Sequence, residues 1–131
     1  MSSSASDLRD AKYISLRSFK KDGQPVDTPV WFAEVAPDRL VVFTDGTSYK
    51  VKRIRRNPKV EIARCDMRGK LLGSWSPATC VAVEQDPPRI ARAYDALNSK
   101  YGLMMRAGTF FATLAGRTKR RLILEITLPA T

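Results

Sequence analysis

Polar and hydrophobic residues alternate along the first half of the chain, as they do in half-buried β-strands. The alternation begins in KYISLRSF, and Asp22-Gly23 then predicts a turn because this pair tolerates a positive φ. The next predicted strand, VDTPVWFAEV, contains Pro29, which cannot donate a hydrogen bond to a sheet. Pro29 is therefore expected at a sheet edge or a bulge. After an APDR turn, LVVFT is typical of a compact buried strand.

The second half of the chain mixes strands with helices. KVEIARCD and, after an MRGK turn, LLGSWSPATCVAVEQD predict two more strands, and RRLILEITL predicts a closing one. From Pro87 the apolar period becomes helical, which predicts a helix from near Pro88 to around Gly102. Its apolar face comprises Ile90, Tyr94, Leu97 and Tyr101. LMMRAGTFFATLAG predicts a second helix, either buried or at an interface. At the N-terminus, Ser3 or Ser4 is expected to cap a short helix that runs to about Ala11.

Close spacing of short strands predicts a mainly β fold, a small antiparallel barrel with flanking helices packed outside it. The 131 residues fit a single domain spanning 1–131, with residues 1–7 expected to be poorly ordered. No apolar run approaches the roughly 18 residues that span a bilayer. The N-terminal stretch also lacks the cationic start and apolar centre of a secretory signal, so a cytoplasmic protein is expected.

Charge and composition narrow the chemistry. The net charge of +10 predicts attraction to anions, whether nucleic acids, phosphorylated cofactors or acidic small molecules. The chain contains no histidine, which excludes Ser-His, Cys-His and His-metal mechanisms. Cys65 and Cys80 lie in apolar runs without a CxxC pair, so buried thiols are expected and no metal site is predicted. If the protein is an enzyme, a cofactor is expected to carry the chemistry, and no catalytic side chain is assigned.

The most unusual segment is TDGTSYKVKRIRRNPKV, which places five cations between Lys50 and Arg56. Thr47 or Ser48 is a natural N-cap for a short helix, whose spacing puts Val51 and Ile54 on one face. Asn57-Pro58 must end that helix, because the residue before a proline is driven out of the α region.

Three readings of this basic helix stay open on local sequence alone. A Gly/Thr/Ser loop before a helix offers backbone N–H groups and the positive dipole end to an anion, and Lys50 adds a charge. A solvated, charged helix face is an equal alternative. A nucleic-acid surface ranks lower, because the aromatic residues are scattered and do not interleave with the basic ones along one strand.

Three segments in order carry a family resemblance: DGQPVDTPVWF, LVVFTDGTSYKVKRIRRNPKV and CDMRGKLLG. They resemble the split β-barrel flavin and deazaflavin oxidoreductases, the pyridoxamine-phosphate-oxidase-like superfamily. The nearest likeness is to its actinobacterial branch, which uses the deazaflavin coenzyme F420. The resemblance runs from about Leu8 to Leu128, and it implies a homodimer with the cofactor in a groove at the subunit interface.

The resemblance also implies site residues. The second strand would lie along the cofactor ring, the end of the third would reach its ribityl region, and the helix start would bind phosphate. The remaining helix cations are candidates for the acidic tail that F420 carries and FMN lacks. The ring positions are Thr28, Pro29, Val30 and Trp31, and the ribityl positions are Phe43 and Thr44. The phosphate positions are Ser48 and Lys50, and the positions for the acidic tail are Lys52, Arg55 and Arg56.

Two departures from the family pattern refine what is expected. Vitamin B6 oxidases have arginines at the positions of Thr28 and Tyr49, and both arginines bind the FMN phosphate. Those oxidases also have a substrate-binding His and Arg, a signature that the C-terminal strand of this chain lacks. These absences argue against that activity and are compatible with F420. The expected function is an F420-dependent oxidoreductase that passes a hydride to a small conjugated acceptor. FMN on the same fold is the first alternative, and a non-catalytic barrel for an anionic ligand or nucleic acid is the second.

Overall fold

The computed structural model of the protein describes residues 11–45, 49–101 and 121–129. Within them lie seven strands and two helices. The strands are β1 (Tyr13–Phe19), β2 (Pro25–Val30), β3 (Ala33–Ala36), β4 (Arg39–Asp45), β5 (Lys59–Cys65), β6 (Ser76–Val83) and β7 (Arg121–Thr127), and the helices are α1 (Tyr49–Arg56) and α2 (Pro87–Tyr101). The helices predicted before Ala11 and over LMMRAGTFFATLAG lie outside the described residues.

The strands form one antiparallel sheet in the order β2-β1-β5-β6-β7-β4-β3. Strand β2 is the last strand at one end, and Pro29 lies within it opposite Ser15 of β1. The missing N–H of Pro29 therefore leaves no hydrogen bond of the sheet unmade on its outer side. The prediction of an edge or bulge position for this proline is confirmed, and the structure shows the edge.

The sheet curls around one apolar core. Ile14 and Val30 from one end of the strand order pack in the same buried cluster as Leu40 from the other end, together with Ile62 and Leu124 from the middle. A flat sheet could not bring its two ends into one cluster, so the strands must curve toward each other. The fold is a split β-barrel with flanking helices, as the strand spacing predicts.

The opposite face of the sheet is covered by α2. Ala93, Leu97 and Tyr101 of this helix pack with Val41 of β4 and Ile123 of β7 in a second buried cluster. The helix begins and ends within one residue of the prediction, because its apolar spacing and Pro87-Pro88 at its start are local signals. No helix in the described ranges is long and apolar enough to span a membrane.

The long second strand predicted from VDTPVWFAEV is divided into β2 and β3, so α1 lies between the fourth and fifth strands. The break falls at Trp31 and Phe32. The Phe32 N–H donates to the hydroxyl of Tyr101 at 2.9 Å instead of to a neighbouring strand. A contact with a residue of a distant helix is invisible to local alternation, which is why the sequence predicts one continuous strand.

The strand predicted from LLGSWSPATCVAVEQD is also shorter in the structure, because β6 begins only at Ser76. The preceding residues form a connection in which Leu71 makes a single bridge to Cys65. The three predicted turns are confirmed, and in two of them Gly23 and Gly69 adopt positive φ, +87° and +89°, which favours glycine at these positions.

Candidate functional site

Helix α1 is held against the inner face of the barrel. Val51 and Ile54, its two apolar residues, are completely buried in the barrel core, as their spacing predicts. Arg53 adds a polar attachment, because its Nε donates to the Oγ of Ser18 on β1 at 2.8 Å. The helix ends at Arg56, where Asn57-Pro58 follows. These contacts fix the backbone of α1, and with it the points from which its cationic side chains extend.

Lys50 is half-buried like Arg53, but unlike Arg53 it makes no side-chain hydrogen bond within the described residues. Burial lowers the pKa of its ammonium group, and the nearby charge of Arg53 lowers it further. Within the described part of the chain, the Lys50 ammonium has no hydrogen-bond acceptor or carboxylate partner. A half-buried cation without a counter-charge is costly, so the first turn of α1 favours an anion.

The three exposed candidate cations already contact other groups. Arg55 forms an ion pair with Glu84. Arg56 donates from Nη2 to the carbonyl oxygen of Phe19 at 3.3 Å. The Nζ of Lys52 lies 5.3 Å from the centre of the Tyr49 ring. All three are at the surface, where such contacts contribute little and can be exchanged for others.

A second group of residues forms a rigid aromatic wall at the break between β2 and β3. The Trp31 ring stacks on the ring of Tyr101 with a centroid separation of 4.7 Å and an interplanar angle of 11°. Phe43 meets Trp31 edge-on at 6.2 Å. Both separations are within the range of attractive aromatic pairs. Strand β4 links this wall to the basic helix, because Phe43 lies near the end of the strand that precedes α1.

The hydroxyl of Tyr101 fixes the backbone beside this wall. It accepts the Phe32 N–H, and its own proton lies within reach of the carbonyl oxygens of Lys12 at 2.8 Å and Phe32 at 2.9 Å. Burial raises the pKa of Tyr101 to about 12. The phenol is therefore neutral at physiological pH and serves as a structural hydrogen-bonding group.

Next to the aromatic wall is a pocket of about 410 Å³, which we call the aromatic pocket. Its lining is Phe32, Ala33, Glu34, Ala96, Ser99 and Lys100. The Nζ of Lys100 lies 3.4 Å from the centre of the Phe32 ring, a close cation–π contact. The volume lies in the lower part of the ~300–1,000 Å³ range of small-molecule sites. The pocket thus offers an apolar floor with a cation and a carboxylate at its rim.

The residues predicted along the cofactor ring do not share one face of the sheet. Thr28 and Val30 pair with Leu16 and Ile14, whose side chains point into the barrel, whereas Pro29 pairs with Ser15 on the other face. Trp31 packs with the second cluster, outside the barrel.

The candidates on β4 are divided in the same way. Phe43 packs outside the barrel beside Trp31, and strand alternation directs its neighbour Thr44 to the inner face. Ser48 lies outside the described residues.

Within the described ranges there is no group of three or more His, Cys, Asp or Glu side chains arranged to hold a metal ion.

Comparison with known proteins identifies the family. The family model described as pyridoxamine 5′-phosphate oxidase matches residues 5–128, almost the whole chain. The chain belongs to the pyridoxamine 5′-phosphate oxidase family. No curated protein sequence matches it.

Solved structures with the same fold come from several functional backgrounds. A conserved hypothetical protein from Mycobacterium tuberculosis has a TM-score of 0.68 at 18% identity, covering 96% of this chain and 78% of its own. The haem storage protein HutZ from Vibrio cholerae has a TM-score of 0.68 at 12% identity, with 96% and 88% covered. An F420 reductase has a TM-score of 0.59 at 18% identity, with 94% and 90% covered. At these identities the likeness shows the fold alone.

For this member of the pyridoxamine 5′-phosphate oxidase family, sequence reasoning missed three contributors to the site. The helical spacing places Tyr101 only on the apolar face of α2, although its hydroxyl organises the backbone at Phe32. Lys100 and Glu34 carry no recognisable motif in the sequence, although both line the aromatic pocket. The available signal was weak: a lysine and a tyrosine adjacent in the last turn of a helix, beside an otherwise apolar face.

Proposed function

We propose that this protein is an F420-dependent oxidoreductase acting on a small conjugated organic acceptor. The family membership supports an oxidoreductase fold, since the matching family is named for an oxidase and a structural neighbour is an F420 reductase. When bound, a reduced deazaflavin supplies a hydride from a ring carbon, and no side-chain nucleophile is required. The protein then needs to hold the ring, exclude water and position the acceptor.

The observation that carries the proposal is the half-buried ammonium of Lys50 without an acceptor in the described part of the chain. F420 and FMN both contain a phosphate group, which would supply the missing counter-charge. The start of a helix preceded by a Gly/Thr/Ser segment is a favourable place for such a group, because backbone N–H groups and the helix dipole attract anions. The chain's own residues therefore fit a phosphorylated cofactor.

The aromatic wall and pocket support the redox assignment. Trp31 is held by stacking on Tyr101 and by an edge contact with Phe43, so it offers a positioned aromatic group for a planar ring. The adjoining aromatic pocket is large enough for a small organic acceptor. Tyr101 is a poor proton donor because its hydroxyl is engaged and its pKa is raised. Lys100 lines the aromatic pocket, and its ammonium is the proposed proton source for a product.

The basic surface of α1 supports F420 over FMN. Lys52, Arg55 and Arg56 are exposed beyond Lys50, and the acidic tail of F420 would meet them. The alternative is that these cations face only solvent and that FMN is the cofactor. Haem binding, the property named for the Vibrio cholerae neighbour, is disfavoured here because the chain has no histidine and both cysteines are buried.

We also propose that the protein works as a homodimer, with the cofactor groove completed by the second subunit. Large apolar side chains are exposed in the β5–β6 connection: Met67 at 69%, Leu71 at 43% and Leu72 at 59%. Exposed apolar groups that lie together favour burial against another protein. Light scattering after size exclusion tests this proposal, and a monomer at tens of micromolar would contradict it.

The decisive experiment measures binding of F420 and FMN side by side, by quenching of each ligand's fluorescence. F420 binding at micromolar concentration or tighter, with weaker FMN binding, is the expected result. Binding of FMN alone would overturn the cofactor assignment but keep the fold-based function. If neither binds and single-stranded oligonucleotides do, with an affinity that falls steeply with salt, the protein is a nucleic-acid-binding barrel.

A further inference from the structure

A second cavity, of about 280 Å³, lies where the N-terminal half of α2 crosses strands β3, β4 and β7. We call it the arginine cavity. It is lined by Val35, Ala36, Arg39, Val41, Arg89, Arg92 and Glu125. None of these residues lines the aromatic pocket, and none belongs to α1. The proposed cofactor site therefore leaves this cavity unexplained.

One arginine of this cavity is held in place by a buried carboxylate. The side chain of Glu125 on β7 is only 10% exposed, and its Oε1 lies 2.7 Å from Nη2 of Arg89. Asp86 approaches Nε of the same guanidinium at 3.9 Å. The hydrogen bond with Glu125 raises the pKa of Arg89 above its usual value. Arg89 thus remains charged, and its position is fixed from two sides.

The other two arginines lack such partners. The side chains of Arg39 and Arg92 form no ion pair or hydrogen bond with any residue in the described ranges. Three guanidinium groups therefore surround the cavity against the single lining carboxylate of Glu125. Exposed Val35, with Ala36 and the mostly buried Val41, supplies the smaller apolar part of the lining. A cavity with excess positive charge and a smaller apolar part to its lining is complementary to an anion attached to a compact apolar body.

We propose that the arginine cavity binds a small organic carboxylate with an apolar body, in contact with Arg39 and Arg92. Guanidinium groups match carboxylates geometrically, because two N–H donors meet two oxygens. Arg89 is paired with Glu125, so it stays in position at the cavity. The ligand carboxylate is left to Arg39 and Arg92. The cavity volume, slightly under the ~300 Å³ lower end of typical ligand sites, limits the ligand to a compact molecule.

Benzoate serves as the probe, with neutral benzamide as a ligand of the same shape. The full chain is labelled with ¹⁵N, and amide chemical shifts are followed during titration at low salt. We expect benzoate to bind with a Kd of about 1 mM or tighter and to shift the amides of Val41 and Arg92. Benzamide should bind at least about tenfold more weakly, a difference of about 1.4 kcal/mol.

The variant that tests the site is Arg39→Ala with Arg92→Ala. Both residues are exposed, so the core is unaffected, and benzoate affinity should fall at least about tenfold. The matched control is Lys20→Ala with Lys21→Ala, which removes the same charge from a distant turn and should change affinity less than about twofold. If the double arginine variant fails to fold, Arg92→Lys replaces it; this variant keeps the charge but loses the planar fork, and its affinity should still fall.

The proposal fails if wild-type protein shows no benzoate-dependent shifts at Val41 and Arg92. It also fails if the arginine and lysine double variants lose affinity equally, since this would indicate general charge attraction. Inorganic phosphate is titrated in parallel. Phosphate binding at the same amides with equal or higher affinity would overturn the carboxylate assignment in favour of a general oxyanion site. None of these outcomes depends on whether the protein binds F420.

Discussion

The hydroxyl oxygen of Tyr101 lies 2.9 Å from the amide nitrogen of Phe32, a residue 69 positions earlier in the chain, and accepts its hydrogen bond. This contact stands where a strand-to-strand hydrogen bond would otherwise form, and it separates β2 from β3. The same tyrosine ring stacks on Trp31. The last residue of α2 therefore determines both the path of the chain and the orientation of the aromatic wall.

Replacing Tyr101 by Phe should destabilise the protein by about 1–3 kcal/mol, the range for leaving a buried polar group without its partner. The ring and its stacking on Trp31 are retained, so lost packing is a minor part of the effect. Urea unfolding, followed by circular dichroism, measures the change. Tyr49→Phe is the control, because Tyr49 is 75% exposed and its substitution should cost less than about 0.5 kcal/mol. Equal midpoints for the two variants would show that the Tyr101 hydroxyl has no structural role.

Stability should decrease at alkaline pH because of two buried acids. Burial, with a smaller contribution from the charge of Glu125, raises the pKa of Cys80 from 9.0 to about 12. Burial raises the pKa of Tyr101 from 10.0 to about 12. The unfolded chain loses these protons at lower pH than the folded protein does. The stabilisation is therefore complete below about pH 9 and is lost as pH rises toward about 12.

The measurement is the free energy of unfolding between about pH 8 and 11, compared for the wild type and Cys80→Ala. The variant should lose stability less steeply with pH, because one of the two acids is gone. Val83→Ala is the matched control, since it also removes buried volume from β6 but no titrating group. It should lower the whole curve without changing its slope. Parallel curves for all three proteins would contradict the assignment to Cys80.

Lys50→Ala should weaken cofactor binding by about 1.5–3 kcal/mol, the range for a hydrogen bond to a charged group. This corresponds to about ten- to 150-fold in Kd. Lys59→Ala removes an equal charge from the exposed start of β5 and should change the Kd less than about threefold. Fluorescence titration with the preferred cofactor measures both variants. Similar losses for the two would mean that Lys50 contributes only to the general positive field.

The pH dependence of cofactor binding should also report on Lys50. Because burial lowers the pKa of this ammonium, the group loses its charge at a lower pH than an ordinary lysine. Affinity for the anionic cofactor should therefore fall as pH rises, starting below the usual lysine range. Lys50→Arg keeps its charge throughout this range and should flatten the decline. An unchanged profile in that variant would assign the pH effect to another group.

Glu84→Gln should strengthen binding of long-tailed F420 by about 0.2–1 kcal/mol, because it releases Arg55 from a surface ion pair of that typical strength. Arg56→Ala should act in the opposite direction, weakening long-tailed F420 more than short-tailed forms. Titrating both variants with F420 of defined tail lengths makes the comparison. If neither variant depends on tail length, Arg55 and Arg56 face solvent and the cofactor tail lies elsewhere.

The sequence by itself determined the local elements of this protein. Helix α1 follows from apolar spacing at Val51 and Ile54 and from the Asn57-Pro58 stop, and the turns at Gly23 and Gly69 follow from backbone preferences. These features depend on residues close together in the chain, so their physical causes can be read without knowing the fold. The expectation of an edge or bulge position for Pro29 belongs to the same class, because it follows from the missing N–H, while the sheet order places it on an edge strand.

Only the tertiary structure decided which polar groups meet. Five cations of α1 look alike in sequence, yet folding binds Arg53 to Ser18 and Arg55 to Glu84 and leaves Lys50 half-buried without an acceptor in the described part of the chain. The contact between Tyr101 and Phe32 and the gathering of three arginines around Glu125 have the same origin. Such partners are far apart in the chain, and they come together only when the sheet order and the curvature of the barrel place them side by side.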